Sequence, residues 1–399
     1  MESTECDTLV LGAGIAGCAL AYHLTGLGVG PVVVVDPRTV AAGASGRAAG
    51  VVTEQLWNEW DVAVTRESHR EYAGLCERWE PGAHRVNGFL RFAHAAEARD
   101  ALRLAHDRLA GWHVRTELLS GPDLHRQVPE GSFGEGALAL YSSRDGCVDP
   151  AALTGVYARC ARERGALFEL GAIGSLPVRA EGRWELTTPA RRVRARRLVL
   201  AAGAWTKRLA AELKHPLPLA PYRTQAALLR PQEPARYDLP TVHDVDRDVY
   251  VRPEENGRVL AGDGTQLVEV DPERAPSGGD ADFLGHLAES LAERYPAWGN
   301  AEVTGAWAGV CCSTPDRRPL IGAVPGGSEL YVIAGFNGFG VMRAGGASRR
   351  LALLLSEAEG SEEGRELLRE VDPARFPGAP RPFVPRPGFT LEAGDDPRF

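Results

Sequence analysis

Residues 7–37 read DTLVLGAGIAGCALAYHLTGLGVGPVVVVDP. Residues 8–11 and 32–35 are short apolar runs of strand length, and the stretch from Ile15 to Leu27 reads as an apolar helix. Strand, helix, strand is the start of a βαβ unit. Between the first strand and the helix, Gly12, Gly14 and Gly17 fit G-x-G-x-x-G. The first glycine permits the tight turn, the second lets backbone reach a diphosphate, and the third lets helix pack on strand. A diphosphate is then met by the free N–H groups and the dipole at the helix N-terminus. Asp36 lies 19 residues beyond Gly17, at the end of the second strand, where an acid accepts hydrogen bonds from ribose hydroxyls. The pattern therefore predicts a dinucleotide site, without saying which dinucleotide.

Outward from that stretch, 399 residues suffice for two domains with separate cores. A chain that is 44% hydrophobic and 25% charged has the composition of a soluble globular protein. A net charge of −8 argues against nucleic-acid or anionic-membrane partners. The opening MESTECD is acidic, unlike a signal peptide, and the VVVV run at 32–35 is too short to span a bilayer, so the expected compartment is the cytoplasm. Seven irregularly spaced cysteines suggest no disulfide framework, and without a CxxC no metal site is expected. Lys207 and Lys214 are the only lysines among 45 basic residues, so any mechanism that needs a lysine has two candidates.

Further helices are expected at 96–111, 151–164, 281–294 and 344–357, with Asp149 as cap and Pro150 at the first position of the second of them. Strands are expected at about 166–188 and 193–201, and through the stretch 225–262. βα units at both ends thus flank an antiparallel-looking middle. The expected fold class is α/β: an interrupted Rossmann-like dinucleotide domain formed by 1–75, 145–215 and 303–360. A second, substrate domain of 76–144 and 216–302 is built on a mainly antiparallel sheet plus helices. A tail at 361–399, with seven prolines after residue 371, reads as extended.

Five further segments identify the dinucleotide. They are AAGASGRAAGVV at 41–52, SRDGCVDPAALTGVYARCARERGALFE at 143–169, LVLAAGAWT at 198–206, GVCCSTPDRRPLIG at 309–322 and IAGFNGFGVMRAGGA at 333–347. In this order they resemble the D-amino-acid-oxidase-like flavoproteins, in the branch of glycine oxidase, sarcosine oxidase and secondary-amine oxidases. The resemblance covers roughly residues 6–375 and implies FAD. It places Gly12, Gly14, Ile15 and Ala16 at the pyrophosphate, and Asp36 and Arg38 beside the adenosine ribose and adenine. Ser45, Gly46, Ala49 and Gly50 fall on the flavin side, and Ile173 at the adenine. Ala202, Gly203 and Trp205 close the pyrophosphate pocket, while Gly338, Phe339, Gly340 and Met342 border the pyrimidine end of the flavin. Tyr250, in DVYVRP, matches a tyrosine that faces substrate, and Phe339 and Trp307 are further candidates for the pocket wall.

The departures from the family are as informative. Residues 39–52 contain neither His nor Cys, and counting back seven from Asp316 reaches Gly309 rather than a flavin-linking Cys, so the FAD is expected to be non-covalent. The arginine that many relatives set five residues before that aspartate is Cys311 here, and a second one, found in glycine oxidase, falls on Gly338. An unpaired carboxylate in a closed site costs several kcal/mol, so either another arginine serves (Arg343, Arg252 or Arg47) or the substrate puts no carboxylate there. The oxygen-activating lysine of sarcosine oxidase falls on Met342, which leaves oxygen or another electron acceptor open.

The resemblance implies oxidation of the C–N bond of an amine or amino acid, N-substituted by preference. Hydride passes to flavin N5 and the product is an imine that hydrolyses, with Tyr250, Arg343 and Met342 as the catalytic candidates. Such chemistry needs positioning and desolvation more than an acid–base residue. Two alternatives stand beside it. VLAGDGTQ at 259–266 resembles the Gly-Asp stretch of FAD-dependent hydroxylases, and the lost arginines suit a flavoprotein without net redox turnover.

Overall fold

The computed structural model describes residues 2–171, 175–263, 268–356, 366, 368–378 and 380–385. Its centre is a parallel array in the order Leu167–Leu170, Val32–Asp36, Glu2–Leu11, Arg191–Leu200, Leu330–Ala334. Val32 to Val35 are all fully buried, as a strand covered on both faces requires, which is why that run is apolar without alternation. The hairpin Val178–Ala180 and Arg183–Thr187, and the strand Leu320–Ala323, extend this first sheet antiparallel. The single strand region expected at 166–188 is therefore three strands, the first in register with Val32–Asp36 and the other two paired to each other.

The first helix, Ile15–Gly26, is buried nearly all round because the helices Pro150–Glu163 and Gly340–Leu355 both pack on it. Asp149 caps Pro150–Glu163, accepting from the N–H groups of Ala151 and Ala152 at 2.9 Å. The longest helix among the described residues, Glu59–Trp79, has no counterpart in the sequence expectations, although Asn58 caps it by accepting from Asp61 N–H at 2.9 Å. It lies against Gly340–Leu355 where Gly345 and Gly346 admit it: a Cβ on Gly346 would meet Val64 O at 2.5 Å. Tyr72 Oη donates to Val341 O at 2.6 Å across the same contact.

The second sheet runs Glu302–Ser313, Ala220–Arg230, Val259–Asp263, Val249–Pro253, Thr241–Asp244, Phe89–Ala93, Leu138–Ser142, Glu117–Ser120. All its pairings are antiparallel except that of Thr241–Asp244 with Phe89–Ala93. Strand Glu302–Ser313 belongs here, hydrogen-bonded along Ala220–Arg230, although its place in the sequence had put it with the dinucleotide unit from residue 303. Alternation splits the sheet into two faces. Leu90, Phe92, Val242, Val251, Ala261 and Ala227 form a core with Phe283, Leu287 and Leu291 of helix Ala281–Arg294. Their neighbours in sequence point the other way, towards the first sheet. From the tail, Val371 is buried and Arg375 forks onto Asp316 at 2.8 and 3.0 Å.

His84 and His69 stack edge to face, with ring centroids 4.8 Å apart. Burial, with His69 nearby, pulls His84 down to about 4 from its usual 6.5. Between those values the unfolded chain takes up the proton and the fold does not, so His84 lowers stability as pH falls from 6.5 towards 4. Chemical denaturation is expected to show wild type losing stability relative to His84→Leu over that interval, with no divergence above pH 7.

Candidate active site

A cavity of about 740 Å³ is walled by the C-terminal ends of the parallel strands, the start of two helices and the inward face of the second sheet. At one end the first helix points its N-terminus into it. Gly12 sits at φ +116°, and a Cβ there would meet Ala201 O at 2.4 Å; a Cβ on Gly17 would meet Gly12 O at 2.0 Å. Only hydrogen fits at either place. Ser45 Oγ accepts from Ile15 N–H at 2.9 Å, so the loop 43–50 is pinned over the first turn of the helix, whose other N–H groups have no partner within it. The carboxylate of Asp36 accepts from Ala13 N–H and Arg38 N–H, both at 2.8 Å, and thereby fixes the turn as well as lining the cavity. The Arg38 guanidinium stacks 4.3 Å from the ring of Trp205, whose Nε1 donates to Glu273 Oε1 at 2.6 Å.

Of the expected cofactor residues, Gly12, Gly14, Ile15, Ala16, Asp36, Arg38, Ser45, Ala49, Gly50, Ala202, Gly203, Trp205, Gly338, Phe339, Gly340 and Met342 line this one cavity. Gly46 does not. Its N–H bonds Ala41 O at 3.0 Å and a Cβ would meet that oxygen at 2.4 Å, so it serves the loop turn. Ile173 lies outside the described residues.

The other end of the cavity is the second sheet. Arg91, His243, Tyr250, Gly262, Ala226 and Trp307 are direct cross-strand partners in one row, so their side chains share a face. His243, Tyr250, Ala226 and Trp307 line the cavity. The Gly262–Asp263 step, which had suggested a hydroxylase motif, lies in mid-sheet: a Cβ on Gly262 would overlap Tyr250 Oη at 2.0 Å, so the glycine makes room for the tyrosine. His243 Nε2 is 3.1 Å from Asp248 Oδ1, and Trp307 Nε1 donates to Arg47 O at 2.9 Å. Arg91 is 3% exposed beside His243, its guanidinium flanked by the rings of Phe89 and Trp57, and burial pulls it down to about 10.

Nearer the helix Gly340–Leu355, Tyr222 and Cys311 face each other across paired strands. The Tyr222 hydroxyl lies 3.1 Å from where a Cβ on Gly338 would be. Burial raises the Tyr222 phenol well above its usual value and pushes the Cys311 thiol up to about 11, so this wall is neutral. Asn337 completes it in the left-handed region at φ +58°, and its side-chain amide makes no hydrogen bond among the described residues.

Three arginines were candidates for a carboxylate, and the structure removes two. Arg343 is 1% exposed and lies behind the cavity wall, committed to Asp61 and to the carbonyls of Phe336 and Phe339. Arg252 is buried against Glu254 and Val148 O. Arg47 lines the cavity but donates to Ala42 O and Gly43 O of its own loop. Sequence reasoning overlooked Arg91, Asp248, Tyr222 and Asn337, and gave His243, beside Asp244 and Asp246, no catalytic role. His243 and Tyr250 share a face because the hairpin of Thr241–Asp244 and Val249–Pro253 sets them opposite each other, a register that alternation along VHDVDRDVYV does not itself give.

The family model "FAD dependent oxidoreductase" (DAO) matches residues 7–354. The chain belongs to this family. Among curated relatives, dimethylglycine dehydrogenase of Rattus norvegicus is 27% identical over 395 residues, covering 93% of this chain and 45% of the relative. The 4-methylaminobutanoate oxidase of Paenarthrobacter nicotinovorans is 30% identical over 370 residues, with 88% and 43% covered. The chain thus spans less than half the length of either. Among solved structures, L-proline dehydrogenase from P. horikoshii has a TM-score of 0.84 at 24% identity, covering 96% of this chain and all of that one. Glycine oxidase from Geobacillus kaustophilus has 0.81 at 23%, covering 94% and 100%. These two establish the fold.

FAD fits the residues present. The glycine cradle leaves no room for side chains at Gly12 and Gly17, the first turn of the helix offers free donors, and the cavity continues far enough to take a ring system. Gly12→Ala would force a Cβ onto Ala201 O in a backbone conformation that alanine rarely adopts. The purified variant is expected to be largely colourless, with FAD affinity at least about a hundredfold weaker, an equivalent of roughly 3 kcal/mol, measured by fluorescence titration of the apoprotein.

Proposed function

We propose that this chain oxidises the C–N bond of an N-substituted amine or amino acid to an imine that hydrolyses in water. One feature supports this above others: the glycine cradle and the Tyr250–His243–Trp307 face line the same cavity. The relatives named for action on dimethylglycine and 4-methylaminobutanoate point the same way. FAD, when bound, supplies the two-electron acceptor for hydride from the substrate carbon.

The protein's own share is placement and dryness. Residues from 2–75, 145–171, 175–215 and 314–356 hold the cofactor, and those of 76–144 and 216–263 carry the substrate face, joined there by strand Glu302–Ser313. Tyr250 and Trp307 wall the substrate and exclude water, which favours the uncharged amine whose lone pair assists hydride departure. Arg91 lies beneath the His243–Tyr250 edge and Asp248 beside it on the cavity wall, so this edge takes the polar end of the substrate. The opposite wall of Tyr222 and Cys311 is uncharged and receives the N-alkyl group. Held as thiols by burial, Cys311 and Cys312 are poor nucleophiles, which suits a non-covalent FAD. The final electron acceptor is oxygen or a partner protein.

No helix among the described residues is long and apolar enough to cross a membrane, and all seven cysteines are unbridged, which suits a reducing compartment such as the cytoplasm.

Anaerobic mixing with a panel of amines is expected to bleach the flavin band with N-methylated amino acids and leave it unchanged with NADPH. Admitting air then distinguishes an oxidase, which forms peroxide, from a dehydrogenase. Tyr250→Phe is expected to slow bleaching or raise KM about tenfold, the size of one hydrogen bond to a charged group. A protein whose flavin no amine reduces would be a flavoprotein without this activity.

A further inference from the structure

The helix Gly340–Leu355 starts at the cavity, and the turn before it, Phe336–Phe339, is part of the wall. Arg343 lies one turn into the helix on its buried side. Its guanidinium donates to Phe336 O at 2.6 Å and Phe339 O at 3.4 Å, and pairs with Asp61 of the helix Glu59–Trp79. Asp61 is itself held, its Oδ2 accepting from Asn58 Nδ2 at 2.8 Å. The far side of the turn is tied by Asn337 N–H to Cys312 O at 2.9 Å. Two carbonyls of the turn are therefore drawn to the buried side, and the helix presents its N-terminal N–H groups, which have no partner within it, at Gly340, Val341 and Met342 on the cavity. The Arg343 and Asp61 side chains are 1% and 4% exposed, so little solvent screens their charges.

We infer that Arg343 and Asp61 are positioning residues that set the reduction potential of the bound flavin from behind the wall. Arg343 fixes the turn so that the helix N-terminus addresses the ring, and Asp61 cancels the charge of Arg343, leaving the helix dipole as the main positive field on that side. This rests on the reading that the pyrimidine end of FAD lies against residues 338–342. Neither residue touches the cofactor, and neither is a carboxylate clamp.

Charge and geometry can be separated by the sign of the effect. Asp61→Asn exposes the Arg343 cation to the ring and favours the reduced, more negative form. Its midpoint potential, measured by dye equilibration on the FAD-loaded protein, is expected to rise by at least about 30 mV, a tenfold change in the two-electron equilibrium. Arg343→Met leaves Asp61 unbalanced and frees the turn, and its potential is expected to fall by a similar amount. Asp61→Glu is expected to restore the parent value. Shifts of the same sign, or no shift, in variants that retain stoichiometric FAD overturn the inference. Should an unpaired buried charge prevent either single variant from folding, the uncharged double variant Asp61→Leu/Arg343→Met decides. A potential below the parent supports the inference, because the turn is released, and an unchanged one overturns it. A parent that takes up no FAD overturns both this inference and the reading beneath it, whereas a parent that does, with unshifted variants, overturns this inference alone.

Discussion

The first helix can reach the ends of two parallel strands only because Gly12 and Gly17 carry no side chain. At Gly12 the backbone turns through φ +116° against Ala201 O, and Gly17 rests on the carbonyl of Gly12 itself. That contact aims the helix N-terminus between Glu2–Leu11 and Arg191–Leu200, and the cavity exists where it points. Moving the helix out by the width of a methyl group would part it from Ser45, Asp36 and the strand ends together. The strictness comes from sterics, since backbone atoms on both sides have nowhere to yield.

The second sheet answers a different requirement, a surface that is core on one side and a chemically mixed wall on the other. A period of two does this without any special residue, provided that register is kept. Leu90, Val242, Val251 and Ala261 bind the sheet to its own helix, and the same register delivers His243, Tyr250 and Trp307 to the cavity from three strands, with Arg91 buried beside His243. Gly262 shows how tightly the register is specified, because only there is the space that the ring of Tyr250 occupies. A slip by one residue would present the aliphatic face to the cavity and bury the polar one.

What was legible in the sequence was whatever neighbours in the chain decide. The run Val32–Val35, the glycine spacing, the Asp149 cap and the helix Ala281–Arg294 depend on local periodicity and turn chemistry, and they stand as read. Family motifs extended this to loops 41–52 and 333–347, most of whose candidate residues line the cavity. Misplaced features depend on partners distant in sequence. Arg343 reads as a free cation beside a glycine loop until Asp61, 282 positions earlier, is brought opposite it. Asp61 was invisible for the same reason, on a helix whose charged surface masks the stripe of Trp60, Val64, Ser68 and Tyr72. Arg91 and His243 come together only through a parallel strand pairing across about 150 residues, which nothing in the local pattern specifies.

Cys311 and Gly338, where the family resemblance implies arginines, stand on either side of one side chain. Tyr222 fills the space between those positions, its hydroxyl touching the place where a side chain on residue 338 would begin. The buried phenol and thiol both resist ionisation, so no charge remains on that wall. Restoring an arginine at 338 alone would clash with Tyr222, and restoring one at 311 alone would bury its charge beside a neutral phenol and close to the Arg343 guanidinium. The three positions are therefore coupled, and a charge on this wall would require all three to change together. The cation nearest the opposite edge, Arg91, sits under a floor that already contains Asp145, whose carboxyl burial pushes up to about 7. His243 and Asp248 thus give the sheet edge a polar character that the wall beside Gly340–Leu355 lacks.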